Sequence, residues 1–215
     1  MSKQYIWNYF KNKIGNEYGV AGLMGNLQAE SGLHCDRVQG DIPYSDFSKQ
    51  YTANVDSGVI SEYDFVHNGV NGGGYGLAQW TFWSRKQALY NMYKDGNYSS
   101  IGCKELACDY LWYELENNYA PVLNVLKNAS SIREASDYVL HHFEKPADQS
   151  TSVEEVREGL AKALYAELTG TGGGDSGGSG DSDTDTASTR RRKKFNFILF
   201  SVAKKRRELC RNRNF

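Results

Sequence analysis

The sequence is poor in proline, cysteine and long apolar runs, and each scarcity excludes a class of protein. Its 215 residues include 3 prolines and 4 cysteines, too few for a proline-rich chain or a disulfide scaffold. The cysteines are therefore predicted to be free structural thiols. No apolar run is long enough to cross a bilayer. The opening residues, MSKQYIWNYFKNK, lack the apolar segment and cleavage site of a signal peptide, so none is expected.

Charge is small overall but unevenly distributed. The whole chain carries a net charge of −1, with 25 Lys and Arg against 26 Asp and Glu. Residues 190–215 hold eleven basic residues and one acid, a net +10, which leaves −11 for the rest. Residues 170–189 contain nothing that builds a core and are predicted to be a flexible, Gly/Ser/Asp-rich linker. We therefore expect a folded domain over 1–169, this linker, and a basic tail over 190–215.

The basic tail places an apolar run, 195–203, between two basic clusters. Three functions fit this pattern: an interfacial segment on an anionic membrane surface, a contact with an anionic cell-wall polymer, and a contact with nucleic acid. The alternative is an unstructured tail or the remnant of a lost C-terminal domain. Because the remainder of the chain is strongly acidic and would repel nucleic acid, we expect no nucleic-acid partner.

A glycine-rich helix is predicted at 18–33, YGVAGLMGNLQAESGL, and the folded domain is expected to be organised around it. Its apolar residues recur at helical spacing and form one stripe: Val20, Leu23, Met24 and Leu27. Gly19, Gly22 and Gly25 recur at every third position, and each costs roughly 0.8–1 kcal/mol relative to alanine inside a helix. A surface helix would not tolerate that composition. We infer a central helix that is packed closely on several sides.

Glu30 is the only charged residue between Tyr18 and His34, and helical geometry places it at the edge of the apolar stripe. Burial disfavours an ionised carboxylate, which would raise the pKa of Glu30 towards the range where it can donate a proton near neutral pH. The alternative is a buried glutamate paired with an arginine such as Arg37 or Arg85. The pattern by itself supports both interpretations.

The rest of the folded part alternates between helical periodicity and one irregular region. Helices are predicted at 4–14, 84–93, 101–119, 121–126, 132–143 and 153–168. Residues 33–74 have no long period and are rich in glycine, and short alternating stretches such as 50–55 are predicted to pair as hairpin strands. The expected fold class is mainly α (α+β), with a small irregular or β-hairpin insertion after the central helix and a disordered tail.

Four separated blocks of sequence carry a resemblance to a known family. In chain order they are GVAGLMGNLQAESGL, YTANVDSG, GYGLAQWTFWSRKQAL and HFEKPADQS, within a similarity that runs over about 6–165. Together they resemble the phage tail lysozyme family of the lysozyme-like superfamily, found in tail-associated lysins and endolysins. In that superfamily a helix-terminal glutamate faces a Gly-Leu-x-Gln segment across a sugar cleft.

The resemblance implies a lysozyme that cleaves the bond between N-acetylmuramic acid and N-acetylglucosamine in bacterial peptidoglycan. It implies a phage or prophage protein that works without a cofactor and as a monomer. Such a protein would act on the bacterial cell wall from the virion tail, or wait in the host cytoplasm before lysis. A catalytically silent module that binds the wall or builds the tail would keep the same fold.

The resemblance also assigns roles to two carboxylates. Glu30 is the expected general acid, which protonates the leaving sugar oxygen as an oxocarbenium-like transition state develops. Inverting hydrolysis needs a base as well, and Asp56 in YTANVDSG is the favoured candidate, against the alternative that it caps a turn with Ser57 and Gly58. Some superfamily members use no second carboxylate and form an anhydro sugar, so hydrolysis and lytic transglycosylation both stay open.

Tyr75, Gln79 and Trp80 are the predicted substrate-binding residues. The Gln79 amide carries a donor and an acceptor, which suits an N-acetyl group or the backbone beside Glu30. Tyr75 and Trp80 would form a stacking wall for a sugar ring, although Trp80 equally fits a core position. The four histidines show no metal-ligand spacing with acidic residues, so no metal site is predicted.

Overall fold

The computed structural model describes residues 2–68 and 73–171. Within these residues the α-helices are α1 Ser2–Ile14, α2 Glu17–Ser31, α3 Asp46–Asp56, α4 Glu62–His67, α5 Trp83–Asp95, α6 Lys104–Asn117, α7 Ala120–Asn128, α8 Ile132–Val139 and α9 Thr151–Thr169, with a π-helical turn at Leu140–Glu144. No helix among them combines the length and apolar character needed to cross a bilayer. Nearly all of the predicted linker and the whole basic tail lie outside the described residues.

The mainly helical class is confirmed, but the predicted hairpin strands are wrong. Residues 50–55 lie inside α3, and the only pairing of extended backbone in the described part consists of two isolated bridges, Val38 with Tyr75 and Tyr75 with Trp80. The buried residues of α3 fall at helical spacing: Ser48, Tyr51, Thr52 and Val55. Ser48 and Thr52 are polar, so the buried face of α3 does not show in the sequence as apolar residues at helical spacing.

The central helix α2 is packed closely on three sides, as its glycines predicted. The position of Gly19 faces the backbone of α7. A Cβ atom added at Gly22 would lie 2.5 Å from Ala135 Cβ on α8, and one added at Gly25 would lie 2.5 Å from Ala161 Cβ on α9. Real Cβ contacts are never this short, so each glycine allows a neighbouring helix to approach the axis of α2.

A buried carboxylate, Glu114 of α6, holds the segment that follows the insertion. It accepts hydrogen bonds from Trp80 Nε1 at 2.7 Å, and from Arg85 Nε and Nη2 at 2.6 and 2.7 Å. Tyr110 donates a longer hydrogen bond to it, at 3.3 Å. Because the Glu114 side chain is fully buried and its charge is paired with Arg85, this cluster fixes the end of GYGLAQW and the start of α5 against the core.

Candidate active site

Glu30 lies in the last turn of α2, and its side chain is 5 % exposed. The helix ends directly after it because Gly32 adopts a left-handed conformation, with φ at 67°, and its N–H donates to Gln28 O. A left-handed residue at this position is favourable for glycine and costly for residues with a Cβ atom. The glutamate is therefore held at the point where the core helix gives way to the insertion.

The carboxylate of Glu30 is paired with an arginine from the last helix. Arg157 Nη2 donates to Glu30 Oε1 at 2.6 Å, and the Arg157 side chain is 6 % exposed. The alternative of a buried glutamate paired with an arginine is thus present, but its partner is neither Arg37 nor Arg85. The partner is Arg157, which stands 127 residues further along the chain and was not among the expected arginines.

One signal for Arg157 was available in the sequence. The buried residues of α9 are Arg157, Ala161 and Leu164, which are spaced four and three residues apart. An arginine in the apolar stripe of an amphipathic helix is rarely buried without a partner. Such a residue indicates a buried acid somewhere in the fold, although it does not say which one.

Asn26 connects the same arginine to a third helix. Arg157 Nη1 donates to Asn26 Oδ1 at 2.9 Å. The Asn26 amide in turn donates from Nδ2 to Gly22 O at 2.9 Å and to Ser136 O of α8 at 3.0 Å. With Asn26 fully buried, α2, α8 and α9 all contribute to the surroundings of Glu30.

The carbonyl end of α2 is covered by Arg37. Its guanidinium donates from Nη1 to Ser31 O at 2.9 Å and from Nη2 to Asp41 O at 2.8 Å. This satisfies a carbonyl group that the end of the helix leaves without an intrahelical partner. The backbone of Arg37 then accepts a hydrogen bond from Gln79 Nε2 at 3.0 Å, so the GYGLAQW segment lies against the loop that follows α2.

Gln79 occupies a constrained position within that segment. Its φ angle is 48°, a left-handed value that a residue with a Cβ atom adopts at a cost. Its Nε2 also donates to Gly76 O at 3.0 Å, and its side chain is buried. The Nε2 group of Gln79 thus donates to the backbone oxygens of Arg37 and Gly76, while no described residue donates to Gln79 Oε1.

Tyr75 and Trp80 both lie in the core, which agrees with the core alternative given for Trp80. The Tyr75 hydroxyl shares a 2.8 Å hydrogen bond with Thr52 Oγ1, and Trp80 donates its indole N–H to Glu114. Neither ring has an exposed face, so they do not form a wall for a sugar in this structure. The exposed aromatic side chains are those of Phe82 and Trp83, which directly follow the segment and are 72 % and 59 % exposed.

Asp56 ends α3 and binds the loop between α5 and α6. Its Oδ2 accepts from Ser100 Oγ at 2.6 Å, and its Oδ1 accepts from Ile101 N at 2.8 Å. The turn after α3 is closed by its own backbone, since Ser57 N donates to Ala53 O. Asp56 is therefore engaged in a long-range contact with the loop before α6 rather than in a cap of the turn at Ser57 and Gly58.

A network of charges holds α9 against α8 and the π-helical turn. Arg133 pairs with Asp137, Glu154 and Glu158 at 3.1 to 3.3 Å. His141 contacts Gln149 Oε1 and Glu154 Oε1, both at 2.8 Å, and these hydrogen bonds raise the pKa of His141 above its ordinary value of 6.5. The network links the first turns of α9 to α8 and to the π-helical turn.

A surface cavity of about 370 Å³ opens beside the segment that follows α2. Its lining consists of His34, Cys35, Asp36, Ser99, Gly102, Cys103, Lys104 and Glu105. Glu30 is not one of its lining residues, although His34 follows it by only four positions. Among the described residues, no three His, Cys, Asp or Glu side chains are grouped in a way that would hold a metal ion.

Arg37 links the end of the helix that carries Glu30 to the Gly-Leu-x-Gln segment at 76–79, since it donates to Ser31 O and accepts from Gln79 Nε2. The model of the phage tail lysozyme family matches residues 2–168, and the chain belongs to this family. The resemblance carried by the four sequence blocks is thus confirmed. A search among curated protein sequences gave no match. Membership makes this a phage-associated protein with a lysozyme-like function directed at peptidoglycan.

Proposed function

We propose that this chain cleaves the glycosidic bond between N-acetylmuramic acid and N-acetylglucosamine in peptidoglycan, and that Glu30 donates the proton to the leaving oxygen. The observation that carries the proposal is the position of Glu30. It is a nearly buried carboxyl group at the end of the central helix in a chain of the phage tail lysozyme family. Departure of a sugar oxygen requires a proton in the transition state, which a positioned carboxylic acid supplies.

Effects of opposite sign act on the carboxyl group of Glu30. Its burial and its place at the negative end of the α2 dipole both disfavour the carboxylate. The 2.6 Å contact with Arg157 favours the carboxylate. The contact with Arg157 is therefore one of the interactions that bear on proton transfer from Glu30 to the glycan.

Of the three predicted substrate-binding residues, Gln79 is the one whose hydrogen bonds best support a contact with the substrate. Its Nε2 is occupied by Arg37 O and Gly76 O, which fixes the amide plane. Its Oε1 is then oriented without a donor from the described residues and suits the N–H of an N-acetyl group. Tyr75 and Trp80 contribute by holding the segment in place from the core.

Asp56 takes a structural role in this proposal, because both of its oxygens accept hydrogen bonds from the loop that contains Ser100 and Ile101.

The products of the reaction identify its class. Hydrolysis adds a water to the released muropeptides, whereas lytic transglycosylation gives anhydro products that are one water lighter. Mass spectrometry of the products separates the two reactions.

The protein acts from the virion tail or waits in the host cytoplasm, and fractionation of purified virions distinguishes these locations.

The test of the proposal is Glu30→Gln, with Glu155→Gln as the matched control. Glu155 is an exposed residue of α9, so the same exchange there leaves the site untouched. We expect Glu30→Gln to lower the rate of clearing of a purified peptidoglycan suspension by about 10²–10⁴-fold, the usual contribution of a general acid. Glu155→Gln should clear the suspension at the wild-type rate.

The glutamine at position 30 still offers an oxygen to Arg157 but leaves its charge unbalanced, so some loss of stability is expected as well. Rates are therefore compared per folded molecule, at a temperature where circular dichroism shows both variants folded. Clearing by Glu30→Gln at the wild-type rate would contradict the proposal. A wild-type protein that binds sacculi but releases no muropeptides would identify a silent wall-binding module instead.

A further inference from the structure

We propose that Arg157 is a positioning residue for Glu30, one that fixes the orientation of the reactive carboxyl group through Asn26. The inference rests on the proposed function, because it assigns a role relative to the same reaction. Nothing in the sequence motifs of the family resemblance points to this arginine. It is identified by the contacts of its guanidinium group and by its burial.

The guanidinium of Arg157 spans one turn of α2. Nη1 donates to Asn26 Oδ1 at 2.9 Å, and Nη2 donates to Glu30 Oε1 at 2.6 Å. Asn26 and Glu30 are four residues apart and so project from the same face of the helix. The fork of the guanidinium is rigid and planar, so it fixes where the Glu30 carboxylate lies relative to the helix.

The other end of this arrangement is anchored in the core. Asn26 Nδ2 donates to Gly22 O and to Ser136 O, so the amide cannot rotate without losing both hydrogen bonds. Its Oδ1 is thereby left to face Arg157. Backbone atoms of α2 and α8 thus hold Asn26 in the orientation that accepts from the guanidinium, and the same guanidinium holds Glu30 Oε1.

The approach of α9 to α2 depends on a glycine. A Cβ atom at Gly25 would lie 2.7 Å from Arg157 O, which is closer than any real contact of that kind. The backbone of Arg157 therefore reaches α2 only because position 25 has no side chain. At this distance the guanidinium reaches Glu30 while remaining 6 % exposed.

The kinetic constants separate positioning from substrate binding. Both terminal nitrogens of the Arg157 guanidinium already donate to Asn26 and Glu30, so the positioning role predicts an unchanged KM when Arg157 is lost. A misplaced reacting group, by contrast, lowers turnover, and a displacement of about 1 Å can cost on the order of 10²-fold. A purely structural arginine would change the folded fraction and leave kcat per folded molecule as it is.

The experiment compares the full-length wild-type chain with Arg157→Lys, Arg157→Met and the control Arg133→Met. Arg133 of α8 pairs with Glu154 and Glu158 of α9, so its loss also weakens the contact between α8 and α9 but does not touch Glu30. Kinetics are measured on soluble glycan strands, released from peptidoglycan by an amidase, at a temperature where circular dichroism shows every variant to be folded.

We expect Arg157→Met to lower kcat by about 10–100-fold with KM within about twofold of the wild type. Arg157→Lys should recover part of that loss, since lysine keeps the charge but cannot bind Asn26 and Glu30 in one plane. Arg133→Met should keep the wild-type kcat per folded molecule. The lysine variant also covers the case in which the methionine variant does not fold.

Three results would overturn the positioning role: a wild-type kcat in Arg157→Lys, a kcat in Arg157→Met equal to that of Arg133→Met, or a loss confined to KM. The outcome of Glu30→Gln keeps this inference separate from the proposed function. If Glu30→Gln is inactive and the Arg157 variants turn over normally, only the positioning role fails. If Glu30→Gln is fully active, the proposed function fails and the positioning role fails with it.

Discussion

A methyl group added at Gly25 tests both the packing of the central helix and its connection to the site. In Gly25→Ala the new Cβ atom would lie 2.5 Å from Ala161 Cβ and 2.7 Å from Arg157 O. Carbon atoms in contact prefer about 3.5–4.0 Å, so relief requires α9 to move away by about 1 Å. A third atom, Ala161 N, would lie at 2.8 Å, and two of the three are backbone atoms, which no side-chain rotation can remove.

Two opposing effects determine the free energy of unfolding of this variant. Replacing a helical glycine with alanine gains roughly 0.8–1 kcal/mol from helix propensity. Overpacking a core typically costs about 1–3 kcal/mol, and the upper part of that range applies where backbone must move. We therefore expect a net loss of about 1–2 kcal/mol, a substantial part of a typical domain stability of about 5–15 kcal/mol.

The same movement should lower activity. A shift of α9 by about 1 Å takes the 2.6 Å contact between Arg157 and Glu30 beyond hydrogen-bonding distance. Urea denaturation followed by circular dichroism gives the stability change, and the clearing rate per folded molecule gives the change in activity. Both should fall together in Gly25→Ala.

The control is the double variant Gly25→Ala with Ala161→Gly, which removes the shortest of the three close contacts. If the two positions are in contact, the double variant should be more stable than the sum of the single changes by at least about 0.5 kcal/mol. A Gly25→Ala protein as stable as the wild type would refute the reasoning. The gain in helix propensity would then equal or exceed the cost of the close contacts at position 25.

The remaining predictions concern Asp56 and His141. Asp56→Asn should cost about 1–3 kcal/mol of stability, since an amide nitrogen cannot accept from Ser100 or Ile101, while kcat stays within about twofold; a hundredfold loss of kcat in a folded protein would instead make Asp56 a catalytic base. Because its hydrogen bonds raise the pKa of His141, its contribution to stability is full below pH 6.5 and is lost as the pH rises through the raised value. Urea midpoints of wild type and His141→Gln should therefore converge from about pH 5.5 to 9, and a gap that widens would contradict this.

The central helix and Glu30 were predictable from the sequence because both depend on local spacing. Apolar residues at helical intervals and glycines at every third position fix which faces of α2 are buried, and the glycines lie against α7, α8 and α9 as that spacing requires. The helix α3 was not predictable in the same way. Its buried face includes Ser48 and Thr52, whose polar side chains hide a helical stripe from any apolar period.

Aromatic residues could not be assigned from the sequence either. Tyr75, Trp80, Phe82 and Trp83 stand within nine positions of one another, and the first two are core residues whereas the last two are exposed. Tyrosine and tryptophan occur both in the core and at the surface, because each combines an apolar ring with a polar group. Only the partners Thr52 and Glu114 decide that Tyr75 and Trp80 face inward.

What the sequence by itself determined is a helical domain of the phage tail lysozyme family with one acid at the end of its central helix. Only the tertiary structure decided how that acid is held, because Arg157 is 127 residues away and local patterns contain no information on which of several arginines will meet it. The contact arises from the packing of α9 against α2, where a glycine removes the side chain that would keep the two helices apart.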